Sequence, residues 1–243
     1  MRILLTNDDG VEAGGLRSLE KQLQMMGQVT VIAPLTEQSG VGHGITYRSA
    51  LSVQQQNQDV YAVDGMPADC VKFGLHHVFQ QPPDLIVSGI NAGLNLGCNV
   101  FYSGTVAAAV EGAIYGITSL AVSCPSAKLA QLPATARCAR EALEAVLSDA
   151  PRGKAYNVNL PDVGKDVPKM VFTYHRPRAF PEEYLRTDGE EGDEFHLNMP
   201  SDREYRIQSS SDVAVIEEGN VSVTPLCTSL TDSELLEKLS GNE

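Results

Sequence analysis

The sequence is poor in basic residues. Its 243 residues include 18 Lys and Arg against 31 Asp and Glu, which gives a net charge of −13 at pH 7. Such an acidic chain lacks the basic surface that attracts nucleic acids or anionic membranes, so we expect neither as a partner. A phosphate-bearing substrate would meet the same repulsion unless a bound cation offset it locally.

Long apolar runs and closely spaced cysteine pairs are also absent. No apolar stretch reaches the roughly 18 residues of a membrane span, and the apolar part of the start, MRILLTNDDG, is too short for a signal peptide. The five cysteines are widely spaced and indicate reduced thiols. We therefore expect a cytoplasmic protein. Its 42% hydrophobic content predicts a folded chain rather than a disordered one.

The first half of the chain alternates short apolar runs with helical patterns. Strands are predicted at residues 2–6, 29–33, 60–63, 84–88 and 119–123, and helices at 15–26, from 67 onward, at 105–115 and at 134–147. This alternation predicts an α/β fold with a doubly wound, mostly parallel sheet and helices on both faces.

The pattern changes after about residue 155. Strands are predicted at 157–160, 170–174 and 221–224, and the acidic segment 182–194 is predicted to be a solvated loop. Alternating runs at 194–199 and 203–208 flank Pro200-Ser201-Asp202 and predict a β-hairpin arm. Thr231 and Glu234 have the spacing of a capping box for a short C-terminal helix. We expect one α/β domain over 1–243, with a catalytic core at 1–155 and a C-terminal part at 156–243 that serves oligomerisation.

Polar residues follow several predicted strands. Asp8 and Asp9 follow the first, Ser39 follows the second, and Asn91 follows the run DLIVS. In an open parallel sheet these strand ends meet at one edge, where ligands bind. Gly10 frees the backbone to turn, so both carboxylates can face one point, and their repulsion calls for a cation. This oxygen ligand set suits Mg²⁺ or Mn²⁺. The alternative for Asp-Asp-Gly alone is an ordinary turn or helix cap.

A second polar segment, Ser103-Gly104-Thr105, precedes the Ala-rich helix. Backbone N–H groups at such a helix start can bind phosphate. The alternative is an ordinary Ser/Thr N-cap. Asn95 and Gly93 lie in a polar loop that could complete the phosphate site.

The histidines give weaker signals. His43 follows Ser39 by four residues and is either a solvated loop residue or a group that transfers a proton or contacts substrate. His76 and His77 lie on a predicted helix and are expected to be partly buried structural residues. His175 and His196 receive no role.

Several strings together match one family. They are NDDG at 7–10, AP and SG within 33–40, GMPADCV at 65–71, SGINAGLNLG at 88–97, YSGTVAAAVEG at 102–112 and VSVTPL at 221–226. With them the chain resembles the survival protein E (SurE) family of metal-dependent nucleoside-monophosphate phosphatases. Met66, Leu94 and Asn220 depart from the family pattern, and none is a proposed ligand.

The resemblance implies residue roles, an activity and an assembly. The metal ligands of the family correspond to Asp8, Asp9, Ser39 and Asn91 in this chain. The family's phosphate pocket corresponds to Asn95, Ser103, Gly104 and Thr105. The resemblance implies one divalent cation per subunit, most simply Mg²⁺ or Mn²⁺. In the metal-assisted hydrolysis that we expect at such a site, Asp8 and Asp9 are the candidate catalytic residues, because either carboxylate could also accept the proton of the attacking water. Hydrolysis of nucleoside 5'- and 3'-monophosphates is implied, with short polyphosphate as a further substrate of some members. A Rossmann-like core and a homodimer or homotetramer that exchanges C-terminal arms are also implied.

Three other classes share parts of this pattern. A signalling receiver domain binds Mg²⁺ with acids after its first strand, but it needs a phospho-accepting aspartate where DLIVS ends in Ser88-Gly89. A phosphatase with an aspartyl nucleophile normally has D-x-D spacing rather than contiguous acids. A non-catalytic nucleotide-binding module would bind nucleotide with metal and show no turnover.

Overall fold

Most strands of the described residues belong to one nine-stranded sheet. The computed structural model describes residues 1–125, 132–162, 168–176, 183–188, 193–198 and 210–240. The strands are β1 Arg2–Thr6, β2 Gln28–Pro34, β3 Ser52–Asn57, β4 Val60–Asp64, β5 Leu85–Ala92, β6 Ser119–Cys124, β7 Ala155–Asn159, β8 Met170–Phe172, β9 Glu183–Asp188, β10 Asp193–Asn198 and β11 Val221–Leu226. The helices are α1 Gly14–Leu23, α2 Pro67–Phe73, α3 Asn99–Tyr102, α4 Gly104–Ile114, α5 Leu132–Asp149, α6 Asp212–Glu217 and α7 Ser233–Ser240, and a π-helical turn at Gly74–Val78 follows α2.

The strand order confirms the predicted doubly wound sheet. It runs β3-β4-β2-β1-β5-β6-β7-β11-β8, and the six strands from β4 to β7 are parallel. β3 and β11 run antiparallel to their neighbours β4 and β7. From β1 the chain winds outward through β2 and β4, then returns to β5 and winds the other way. The direction in which strands are added therefore reverses between β1 and β5. A ligand crevice is expected at this switch point.

Helices cover both faces of the sheet. In β1, Ile3 and Leu5 pack on one face with residues of α1 and α5, whereas Leu4 packs on the other with residues of α2 and α4. Successive side chains of a strand point to opposite faces, so a central strand covered on both sides must be apolar throughout. This explains why apolar and polar residues do not alternate along the run RILLT.

All five cysteines are thiols, as predicted. Within the described parts of the chain, no helix is both long and apolar enough to cross a membrane.

The hairpin arm is present, but at a different position from the predicted one. β9 and β10 pair antiparallel, with Glu194 opposite Thr187 and Leu197 opposite Tyr184. The prediction that 182–194 is a loop is therefore wrong for Glu183–Asp188 and for Asp193 and Glu194, which form strands, although residues 183–187 and 194 are solvent-exposed as predicted. The Tyr, Leu and Thr residues of Glu183–Asp188 favour a strand, and the connecting sequence Gly-Glu-Glu-Gly has the length and glycine content of a hairpin loop. The predicted second strand at 203–208 and its turn at 200–202 lie outside the described residues.

The C-terminal helix α7 is confirmed, but its cap differs. Asp232 Oδ1 accepts a hydrogen bond from Leu235 N at 2.9 Å, so Asp232 rather than Thr231 caps the helix. Both residue types are good N-caps, and the helix begins one residue later than the Thr-x-x-Glu pattern implied. Three further elements, β3, α3 and α6, were not predicted, because they are short or lack a regular apolar pattern.

A bulge near the end of β5 positions Asn91. Ser88 pairs with Ala121 and Asn91 with Ser123. β5 therefore advances three residues while β6 advances only two. The bulge contains Gly89, which has φ +142°, and a Cβ at this position would lie 2.3 Å from the carbonyl oxygen of Val122. Bulges redirect the side chains that follow them, and here the residue that follows is a predicted metal ligand.

Replacing Gly89 with alanine tests this requirement. We expect Gly89→Ala to lower the free energy of unfolding by about 2 kcal/mol more than Gly116→Ala, measured by denaturant unfolding. Gly116 is the matched control, because it also has a positive φ, +74°, but a Cβ there would have no atom within 4 Å. Equal losses in the two variants would contradict the steric argument.

Candidate active site at the switch point of the sheet

Asp8 and Asp9 lie on a tight turn at the end of β1. Asn7 Nδ2 donates to the carbonyl oxygen of Gly10 at 2.9 Å and closes the turn. Gln38 N donates to the carbonyl oxygen of Asp8 at 2.7 Å, which joins this turn to the segment after β2. Asp8 is buried and Asp9 is half-buried. The predicted convergence of the first two strand ends is therefore present.

The start of α4 packs directly against Asp8. Thr105 donates to Asp8 twice, from its hydroxyl to Oδ1 at 2.5 Å and from its backbone N–H to Oδ2 at 3.2 Å. A Cβ on Gly104 would lie 3.0 Å from Asp8 Cβ and 3.0 Å from Pro67 Cγ, so glycine permits this close approach. Ser103 caps the helix, with its Oγ accepting from Val106 N at 3.1 Å. The N-cap alternative thus holds for Ser103, whose hydroxyl proton is still available to a ligand.

Both aspartates have raised pKa values. Burial raises the pKa of Asp8 above its usual value, and the hydrogen bond from Thr105 opposes this effect. Burial, and then the negative charge of Asp8, raise the pKa of Asp9 to about 6. Glu37, which the sequence pattern did not single out, adds to the negative charge at both groups. The site is therefore short of positive charge.

Ser39 and Asn91 complete the predicted ligand set. Ser39 Oγ donates to Glu37 Oε1 at 2.6 Å, which leaves the lone pairs of the hydroxyl oxygen for a cation. Asn91 Nδ2 donates to the carbonyl oxygen of Gly93 at 2.7 Å, which leaves Oδ1 as an acceptor. Gly93 N also donates to the carbonyl oxygen of Cys124 at 2.9 Å. Gly93 therefore holds Asn91 in place, and both the N–H and the carbonyl group of Gly93 already have hydrogen-bond partners.

Asn95 is fixed by the ends of β6 and β7. Its N–H donates to Asn159 Oδ1 at 2.9 Å, and its Nδ2 donates to Ser123 Oγ at 2.9 Å. Its carbonyl oxygen accepts from Asn157 Nδ2 at 2.7 Å and from Asn159 Nδ2 at 3.1 Å. A loop residue held by this many buried partners has a fixed position, as a binding group requires.

These side chains meet in one cavity of about 750 Å³, a size typical of small-molecule sites. Six of the eight predicted site residues line it: Asp8, Asp9, Ser39, Asn91, Asn95 and Ser103. Gly104 and Thr105 lie behind them against Asp8. Residues that were not predicted also line the cavity: Glu37, Gly40, Ala92, Asn99, Tyr102, and Tyr184 and Leu197 of the hairpin.

The donor set fits a hard divalent cation. It offers two carboxylates, an amide oxygen and a hydroxyl, which are oxygen ligands of the type that Mg²⁺ and Mn²⁺ prefer. The raised pKa values of Asp8 and Asp9 indicate two carboxylates that lack a compensating charge where they lie. A cation between them would supply that charge.

The histidines have contacts outside this cavity. His43 Nε2 lies 2.8 Å from Glu111 Oε2, so His43 is not simply solvated. His175 Nε2 lies 2.7 Å from the carbonyl oxygen of Gly97, a contact that the sequence did not predict. His76 and His77 are exposed, so the prediction that they are partly buried is wrong. They lie between Leu75 and Val78, which pack against the core, so the two histidines are on the outer side of the π-helical turn.

Fold and site together define a class of protein. It is an α/β protein of the doubly wound type, with an acidic, oxygen-rich site and a helix N-terminus facing each other at the switch point. The family model "Survival protein SurE" matches residues 3–181, and the chain belongs to this family, as the sequence strings predicted.

Relatives and a solved structure agree with this assignment. The "5'-nucleotidase SurE" of Rhodopirellula baltica is 42% identical, covering 98% of this chain and 97% of that protein. The protein of the same name from Caldanaerobacter subterraneus is 37% identical, covering 98% and 96%. The crystal structure of the SurE protein from Aquifex aeolicus has a TM-score of 0.87 and 32% identity, covering 99% of each chain.

Proposed function

We propose that this chain is a metal-dependent 5'-nucleotidase, which hydrolyses nucleoside 5'-monophosphates, and also 3'-monophosphates, to nucleoside and phosphate. The observation that carries the proposal is the single cavity shared by Asp8, Asp9, Ser39 and Asn91 on one side and by Ser103 on the other. The names of the relatives from Rhodopirellula and Caldanaerobacter support it. We further propose one divalent cation per subunit, either Mg²⁺ or Mn²⁺.

Different residues have different roles in phosphomonoester hydrolysis. A bound divalent cation supplies a water of lowered pKa and neutralises charge on the phosphate. Asp8, Asp9, Ser39 and Asn91 would hold that cation, and one of the two carboxylates would accept the proton of the attacking water. As the oxygen of that water bonds to phosphorus, the ester P–O bond would break, and the nucleoside oxygen would take up a proton from solvent and leave as a hydroxyl group.

The phosphate faces the other side of the cavity. Ser103 donates its hydroxyl proton to a phosphate oxygen, beside the N-terminus of α4, where the helix dipole favours negative charge. Asn95 contacts a second phosphate oxygen. Thr105 acts through Asp8, since both of its donors are directed to that carboxylate. Donors placed in this way stabilise the charge that develops on the phosphate in the transition state.

An assay of purified protein tests the proposal. We expect phosphate release from a panel of nucleoside 5'- and 3'-monophosphates with Mg²⁺ or Mn²⁺, and none with excess chelator. Release that continues in chelator would contradict the metal mechanism. Metal-dependent nucleotide binding without turnover would select the non-catalytic module. Stable labelling of the protein by a small phosphodonor would select the receiver, although β5 ends in Asn91-Ala92 and offers no carboxylate there.

We also propose an assembly and a compartment. The hairpin exposes Tyr184, Leu185, Phe195 and Leu197, and helix α7 has no buried residue although it carries three leucines. These surfaces support a homodimer or homotetramer formed through the C-terminal part, 156–243, with 1–155 as the catalytic core of one domain. The thiol state of the cysteines supports the cytoplasm as the compartment.

A further inference from the structure

The segment that carries Ser39 has little packing of its own. It comprises residues 35–51, between β2 and β3, and none of these residues is buried. Loops of this length are uncommon in compact domains and often serve a function. A loop without a buried apolar side chain depends on hydrogen bonds for its position. The placement of Ser39 at the site therefore depends on a few polar contacts.

Those contacts are of two kinds. Three hydrogen bonds join main chain to main chain: Leu35 N donates to Val63 O, Gln38 N to Asp8 O, and Gly42 N to Tyr102 O. Two further contacts involve side chains: the N–H and hydroxyl of Thr46 both donate to the carboxylate of Asp69, and His43 binds Glu111. Both acceptors are carboxylates, and neither belongs to the proposed ligand set.

Glu111 is a buried carboxylate that none of the proposed catalytic steps uses. It lies on α4, its residue surface is 4% exposed, and its two oxygens have different partners. Oε2 lies 2.8 Å from His43 Nε2, and Oε1 lies 2.6 Å from Lys72 Nζ on α2. Burial acts to raise the pKa of Glu111, but the hydrogen bonds from His43 and Lys72 outweigh it and hold the pKa below its usual value.

Lys72 supplies the positive charge that pairs with Glu111. An unpaired buried carboxylate is costly, and the ammonium group supplies the counter-charge. His43 adds a hydrogen bond to the other carboxylate oxygen. The other end of the same helix holds Asp8 through Thr105. One helix therefore contacts Asp8 directly and, through His43, the loop that carries Ser39.

We propose that Glu111 is a positioning residue that holds the loop 35–51 through His43, and so keeps Ser39 in register with Asp8 and Asp9. This inference rests on the proposed metal site. It gives His43 a role different from proton transfer, because its Nε2 is directed to Glu111 and not to the cavity. Groups behind a metal ligand typically change metal affinity about 10–100-fold when they are removed.

The test compares His43→Ala with His43→Gln, in which the side-chain amide can replace the Nε2 donor. Mn²⁺ alone is titrated into each metal-free protein by calorimetry. We expect His43→Ala to weaken Mn²⁺ binding about 10-fold and His43→Gln to stay within about 3-fold of wild type. His76→Ala is the matched control, since it removes an exposed histidine bonded to Tyr115 and should leave the affinity unchanged.

Trypsin provides a second readout on the metal-free proteins. Arg48 is exposed within the loop, and cleavage there reports local opening. We expect faster cleavage at Arg48 in His43→Ala than in wild type, with the melting temperature within about 2 °C because His43 lies on the surface.

Several outcomes would overturn the inference. These are wild-type Mn²⁺ affinity in His43→Ala, failure of His43→Gln to restore the affinity, or equal cleavage at Arg48 in all proteins. If wild type itself binds no Mn²⁺, the proposed metal site fails, and the Arg48 cleavage rates alone then decide whether His43 holds the loop.

Discussion

The Asp9→Asn variant is expected to lose about 10³-fold in phosphate release at saturating Mn²⁺ and nucleoside monophosphate. Asp9 is half-buried beside Asp8, and asparagine keeps its shape while removing the charge. Without that charge the cation is held more weakly and the attacking water loses a proton acceptor. The kinetic measurement is kcat from phosphate release across a metal titration.

The same variant should be more stable than wild type when metal is removed. The pKa of Asp9 rises from 3.8 to about 6 on folding, so its ionised form favours the unfolded chain above pH 6. As pH falls through 6 towards 3.8, the folded state takes up the proton first and this penalty disappears. After a discount for solvent screening, we expect Asp9→Asn to gain about 1–2 kcal/mol at pH 7 in chelator and nothing near pH 4.

Thermal or denaturant unfolding in chelator measures this gain. Asp149→Asn is the control, since it removes an exposed aspartate at the end of α5, outside the cavity. It should change neither the activity nor the pH dependence of the metal-free stability. Wild-type activity in Asp9→Asn, or a loss of metal-free stability at pH 7, would each contradict the role given to this carboxylate.

The site's main parts were predictable because strand ends in a parallel sheet are set by topology. Asp8, Ser39 and Asn91 each follow an apolar run, and alternation of strands and helices brings those ends to one edge. Ser103 was predictable in the same way, as a polar residue before a helix. These inferences require only the local pattern and the order of elements.

Contacts between distant side chains were not predictable. Glu111 lies in an Ala-rich helix, and nothing in the sequence distinguishes it from a solvent-facing glutamate until His43 and Lys72 are placed beside it. Glu37 is exposed and was missed for the same reason, although its carboxylate lies 2.6 Å from Ser39 Oγ. The hairpin was misplaced because Tyr184, Leu185 and Thr187 are surrounded by acids, and charge outweighed β-propensity in the interpretation.

Thr105→Val should reduce phosphate release about 30-fold at limiting Mn²⁺, as expected for the loss of a group behind a metal ligand. Valine keeps the shape of threonine but removes the hydroxyl that donates to Asp8 Oδ1. Since that hydrogen bond lowers the pKa of Asp8, the pKa should rise further and the cation should compete less well with a proton.

Because Thr105 touches neither the cavity nor the proposed phosphate position, its effect should be on the metal requirement rather than on the KM for nucleotide. The expected signature is therefore a higher Mn²⁺ concentration for half-maximal activity, with the loss reduced at saturating Mn²⁺ or at higher pH. Thr105→Ser keeps the hydroxyl, and its rate of phosphate release should remain within about 3-fold of wild type because the hydrogen-bond donor to Asp8 is retained. If Thr105→Val instead raises the KM at an unchanged Mn²⁺ requirement, Thr105 binds phosphate directly. That result would agree with the phosphate-pocket role that the family resemblance implied for Thr105, and the contact with Asp8 would then give way to substrate.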